Sequence, residues 1–147
     1  MAYTTLALLK RYMPENKIME LTDDDGIDEI SEEIVNEMID QAQTIIDSYC
    51  RGRYPVDMSD DDVPELIQDI ATKLTAYKLY ARRLITTLPE TLSRDYKYCI
   101  DMLKQIQSGK INPWPIANNP VIFWSNKTSS DKIERGSYNT AITGLKD

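Results

Sequence analysis

Apolar residues return at three- and four-residue steps in three long stretches of this chain, each bounded by cap or turn residues. The clearest is Ile34, Val35, Met38, Ile39, Ala42, Ile45, Ile46 and Tyr49, one continuous face running to about Arg51. Ser31 is its N-cap, Glu32 and Glu33 suit the positive helix end, and Gly52 is placed to end it. A second stretch restarts at Val63-Pro64-Glu65, with proline tolerated in a first turn and Asp60 to Asp62 available as caps. Leu66, Ile67, Ile70, Ala71, Leu74, Tyr77 and Ala81 form its inner face, up to about Leu84. The third opens at Pro89-Glu90, sets Leu92, Tyr96, Cys99, Ile100, Leu103 and Ile106 on one side, and has Gly109 just past its end. A short helix precedes all three: in "YTTLALLKRYMP" Thr4 or Thr5 caps, Leu6, Leu9 and Met13 make the stripe, and Pro14 stops it. "ENKIMELT" adds a turn or two. The pattern predicts an all-α bundle of three long amphipathic helices plus a short N-terminal one.

Beyond Gly109 the period is lost. Residues 110–147 carry three prolines and several Asn and Ser, and only Val121 to Trp124 reads as a strand. The expected organisation is a helical domain at 1–109 and a mostly irregular C-terminal arm at 110–147. Trp114, Phe123 and Trp124 are unusual in a segment that only solubilises. They either fold back on the bundle or dock on a partner.

Composition narrows the chemistry. The 147 residues suit one domain able to bury roughly two-thirds of its unfolded surface. There is no histidine, which removes the commonest general base, the usual nucleophilic triads and the commonest zinc ligand. Cys50 and Cys99 lie far apart with no C-x-x-C spacing and fit buried free thiols in a reducing compartment. No apolar run approaches the ~18 residues of a membrane span, and no signal pattern opens the chain, so an intracellular, soluble protein is expected. The net charge of −7 is uneven: residues 1–65 hold 17 acidic and 5 basic side chains, a net of −12, and residues 66–147 hold 7 and 12, a net of +5. These halves are either two differently decorated solvated surfaces or the two sides of a self-complementary contact. The overall sign argues against general nucleic-acid binding.

Three constellations invite chemistry. "LTDDDGIDEISEEIV" has aspartates and a glycine at spacings suggestive of a calcium loop. Counting from Asp23 puts Ile27 fifth, Asp28 sixth and Ile34 twelfth; counting from Leu21 places Gly26 and Glu32 well but loses the first ligand. Neither register completes an oxygen cage. The expected structure is a solvated turn in which Asp23, Asp25 and Asp28 cap the Ser31 helix, with a weak cation site as the alternative. "SGKINP" lacks the upstream glycine and following Ser or Thr of a phosphate loop and ends a helix; "RGRYP" places Arg51 and Arg53 around a cap glycine. "AYKLYARR" sets Tyr77 and Tyr80 three apart, followed by Arg82 and Arg83, a pattern of core rings with hydroxyls at the rim more than of a base-stacking platform. No catalytic constellation is identifiable.

Taken in order, Leu21-Thr22-Asp23, Gly52-Arg53-Tyr54-Pro55 and the helix bearing Ala76, Tyr77, Leu79, Tyr80 and Arg82 resemble a family of small Mu-type phage and prophage proteins, over about residues 3–110. Its members show an L-T-D acidic loop, a G-R-Y-P junction and an A-x-Y-x-L-Y-x-R helix. Many carry acidic and glycine residues where Ile27 and Asp28 stand here. The family is similar in predicted architecture to the head–tail connector, or head-completion, adaptors of long-tailed phages. The resemblance implies a structural protein, not an enzyme; no cofactor is expected, and the departure from the relatives' more calcium-loop-like pattern at Ile27 and Asp28 argues against a metal. It implies a homo-oligomeric ring in the virion, contacting portal and tail or head-completion proteins, with DNA only passing through the channel and no membrane partner. Assembly would take place in the cytoplasm of the bacterial host. Arg53, Tyr54, Arg82, Arg83, Trp114, Phe123 and Trp124 are the candidate interaction residues. A different class, a small regulatory or DNA-associated helical module, would use Arg51, Arg53, Arg82 and Arg83; a carboxylate-based hydrolase is a third reading.

Overall fold

The computed structural model describes residues 2–54, 63–83 and 87–114. They form five helices: α1 (Leu6–Tyr12), α2 (Glu15–Thr22), α3 (Glu32–Cys50), α4 (Glu65–Arg82) and α5 (Glu90–Gln107). No strand occurs among the described residues, and the chain is all-α as its periodicity predicts. The caps show why the helices begin where they do. Thr5 accepts from the Leu8 N–H at 3.3 Å to start α1, and Ser31 accepts from the Ile34 N–H at 3.5 Å to start α3. Pro14 both ends α1 and begins α2, and Pro64 and Pro89 sit at the starts of α4 and α5. Gly109, at φ +77°, takes the left-handed position past α5, where the Lys110 N–H reaches back to the Gln105 carbonyl at 2.9 Å. Gly52 plays no such part: α3 runs into a turn in which the Arg53 and Tyr54 N–H groups both return to the Cys50 carbonyl.

Helices α3, α4 and α5 pack on one another, and α1 and α2 lie over α4, so α4 touches every other helix. That central position corrects one expectation. A single inner stripe ending at Ala81 was expected for α4, yet Ala81 is exposed while Thr72, Thr75, Ala76, Leu79 and Tyr80 are buried as well. A helix enclosed on several sides has no single inner face, and periodicity alone does not reveal it. Two core clusters result. One gathers Ala42, Ile46, Cys50, Val63, Ile67, Ile70, Leu74, Cys99, Leu103 and Ile106; the other gathers Leu9, Ile18, Leu21, Val35, Met38, Ile39, Leu79, Tyr80 and Leu92. Together they span the length of α4, about 27 Å at 1.5 Å per residue.

Residues 110–114 run on along the bundle, and Ile111 and Trp114 pack against the first cluster. The remainder of the expected arm, including the strand at Val121 to Trp124 and the candidate residues Phe123 and Trp124, lies outside the described residues. So do the expected caps Asp60 to Asp62 and the expected helix end at Leu84.

Candidate interaction surfaces

At one end of the bundle the acidic stretch forms a built loop. Both oxygens of the Asp23 carboxylate accept backbone N–H groups, Oδ1 from Gly26 at 2.7 Å and Ile27 at 3.0 Å, Oδ2 from Asp28 at 3.0 Å. Those bonds, led by Ile27 and Asp28, hold its carboxyl below the usual aspartate range. Gly26 at φ +71° and Asp28 at φ +58° both take left-handed backbone, which turns the chain back toward Ser31. Thr22, buried at the end of α2, donates to the Ile18 carbonyl and accepts from the Ser31 N–H at 3.2 Å. The expected role of the carboxylates is therefore corrected. Asp23 organises the loop, while the Ser31 hydroxyl caps α3.

The fastening comes from the far end of α4. Arg82 donates to both carboxylate oxygens of Asp24 and to the Leu21 carbonyl; Arg83 donates to the Asp23 carbonyl at 2.7 Å and to Asp24 at 2.9 Å. Arg82 and Arg83, singled out in the sequence as partner-facing, thus engage this chain's own loop. Asp24, which sequence reasoning did not single out, is the residue that unites them. At the tip, Ile27 is 63% exposed.

The other end of the bundle brings together three more candidates. Arg53 lays its guanidinium over Gly109, where a Cβ would collide with it. Tyr54 donates to the Asn112 side-chain oxygen, and its ring lies 4.5 Å from that of Trp114, tilted by 32°. The turn after α3 is in this way latched to the segment after α5. The Trp114 Nε1–H is buried without an acceptor among the described residues. Arg51 and Arg53 therefore stand at the opposite end of the bundle from Arg82 and Arg83, and the four arginines do not make one basic patch.

Between the ends, charge is sorted by helix. The exposed residues of α3 include Glu32, Glu33, Glu37 and Asp40; those of α5 and its C-terminal turn include Arg94, Lys97, Lys104 and Lys110, with Glu90 and Asp101. Of the three long helices, α4 is largely covered by α1 and α2, whereas α3 shows an acidic open face and α5 a mainly basic one. Among the described residues the acidic and basic parts of the sequence are not two separate halves in space, because α3 packs directly on α4 and α5. There the complementarity stands as these two outer faces.

The polar chemistry inside the bundle is structural. Tyr12 donates to Asp95 at 2.6 Å, and burial, then that bond, raises its phenol above the ordinary range. Tyr77 and Tyr96 stack at 4.1 Å across α4 and α5. Cys50 and Cys99 are free and buried, and burial pushes their thiols up to about 11 and about 12. Among the described residues no group of three or more His, Cys, Asp or Glu side chains converges as a metal ligand set, and no helix is long and apolar enough to cross a membrane. An open hollow of about 250 Å³ between α1 and α4 is lined by Leu8, Arg11, Tyr12, Glu65, Gln68, Asp69 and Thr72.

The L-T-D and G-R-Y motifs of the sequence thus go into the fastened loop and the latched turn of a small helical bundle, and comparison with known families makes the assignment specific. The family model described as Bacteriophage Mu, Gp36 matches residues 3–120. The chain belongs to that family and is a Mu-type phage protein. No curated protein matches it.

Proposed function

We propose that this chain is a virion-assembly protein, an adaptor that joins copies of itself into a ring between portal and tail. The observation that carries the reading is the pair of open helix faces, acidic on α3 and mainly basic on α5. A ring needs a heterologous contact, one patch against a different patch on the next copy, with a rotation that closes. Faces of opposite charge on separate helices supply such a pair, and charge complementarity sets encounter and orientation more than net affinity. The role is non-catalytic in this reading. What supports that is a chain with no histidine and two buried thiols held far from their reactive form.

A DNA-associated module is less well supported. Its four arginines fall at opposite ends of the bundle, and Arg82 and Arg83 are engaged with Asp24. The experiment that separates the two readings exposes the protein to purified portal rings and, separately, to duplex DNA. An adaptor is recruited to portal and ignores DNA, whereas a DNA module shows salt-sensitive duplex binding and ignores portal.

A further inference from the structure

Two large apolar side chains among the described residues stand exposed, one on an acidic loop and one on a helix face of mixed charge whose exposed residues are mainly basic. Ile27 is 63% exposed at the tip of the acidic loop, beside Asp25, Asp28 and Glu29. Tyr98 is 46% exposed on the outer face of α5, beside Arg94 and Lys97, with Asp95 and Asp101 one turn to either side. The Lys73 ammonium stands 5.2 Å from its ring centroid.

A single exposed isoleucine is ordinary on a protein surface. This one is not on an ordinary loop. Three backbone bonds to Asp23, left-handed backbone at Asp28 and two arginines on Asp24 brace the loop. Strain and polar fastening of this kind hold a side chain in place, and the one they present is apolar and faces water. Tyr98 has a matching character: a flat, amphipathic ring on a rigid helix, off the apolar stripe that α5 buries.

We propose that Ile27 of one copy seats against Tyr98 of the next, with Asp25, Asp28 and Glu29 facing Arg94 and Lys97 across the contact. This rests on the ring reading and adds to it a contact made by the loop that leads into α3, beyond the α3 face itself. The contact is heterologous, because the loop and the α5 face are different surfaces of the same chain.

The test uses two single variants of the full chain, Ile27→Cys and Tyr98→Cys, both at exposed positions that leave the core untouched. Native Cys50 and Cys99 are fully buried and stay out of the chemistry. Under mild oxidation in the presence of portal rings, an equimolar mixture forms a covalent 27–98 dimer, several-fold more than either variant alone. In parallel, Ile27→Ser and Tyr98→Ser each weaken self-association on the order of tenfold, the effect of losing one well-buried interface side chain. Equal or absent cross-linking in the mixture overturns the proposed contact. The ring reading is judged separately, from the mass that the wild-type chain adds to portal; a ring that forms without 27–98 cross-links leaves the adaptor standing and removes this contact.

Discussion

Arg82 holds Asp24 by both carboxylate oxygens, tying a loop between α2 and α3 to the last turn of α4 across 58 positions of sequence. Arg83 joins the same carboxylate from the side. All three side chains remain partly exposed, so solvent screens the pairs and their worth is modest. Asp24→Ala is expected to cost roughly 1 kcal/mol of global stability, the upper end for a partly exposed bidentate network. The larger effect is local: amide exchange at Gly26 to Asp28 accelerates while the amides of α3 stay protected. Unchanged exchange in the loop would show that the arginines do not hold it.

The same loop responds to acid. Asp23 has a lowered carboxyl pKa in the folded state, because its charged form accepts the backbone N–H groups. A depressed folded value contributes stability above the unfolded pKa and loses it as pH falls through the folded one. Loop order is therefore expected to be constant from neutral pH down to the ordinary aspartate range and to fail below it. Following the Asp23 carboxyl resonance and the Gly26 and Ile27 amides by NMR against pH checks this. A midpoint above the ordinary aspartate range would contradict the geometry.

Two glycines that read alike in the sequence are predicted to differ on substitution. Gly109→Ala places a Cβ at φ +77° and against the Arg53 guanidinium. Arg53 can swing aside, but the backbone strain stays, and a loss of about 1–2 kcal/mol is expected. Gly52 has ordinary backbone and open space around it, so Gly52→Ala should stay within about 0.5 kcal/mol of the parent. Urea unfolding of the two variants side by side measures the difference.

Thr4 and Thr72 form a buried hydroxyl pair at 2.7 Å that pins the chain before α1 to α4. Thr72 also donates to the Gln68 carbonyl at 2.8 Å, which leaves Thr4 as donor to Thr72. Thr72→Val strands the Thr4 hydroxyl and should cost roughly 1–3 kcal/mol, whereas the Thr4→Val, Thr72→Val double variant should recover much of that loss. Additive single effects in the cycle would show that the pair is not coupled.

How far the sequence anticipated all this depends on what each feature is made of. The long helices, the Ser31 and Thr5 caps and the Gly109 terminus were legible because they rest on local period and local chemistry. Ala81 was misplaced because α4's enclosure by α1, α2, α3 and α5 is a tertiary fact. Arg82 and Arg83 were noticed as charges, but their partner Asp24 lies 58 positions away, and no spacing rule reaches that far. The Arg53 seat on Gly109 and the Tyr54–Trp114 contact join segments before α4 and after α5 in the same way. Ile27 and Tyr98 had a signal that went unused: Ile27 is a large apolar residue within an acidic turn, and Tyr98 lies off the apolar stripe of α5.

The adaptor reading stands or falls most directly on mass. Sedimentation velocity of the purified protein, alone and with purified portal rings, should be run across protein and salt concentration. Weak self-association is expected at high concentration and low salt, diminished by salt as complementary faces are screened, together with a defined mass increment on portal corresponding to a closed ring of copies. A strict monomer at every concentration and salt, leaving the sedimentation of portal unchanged, would contradict the account.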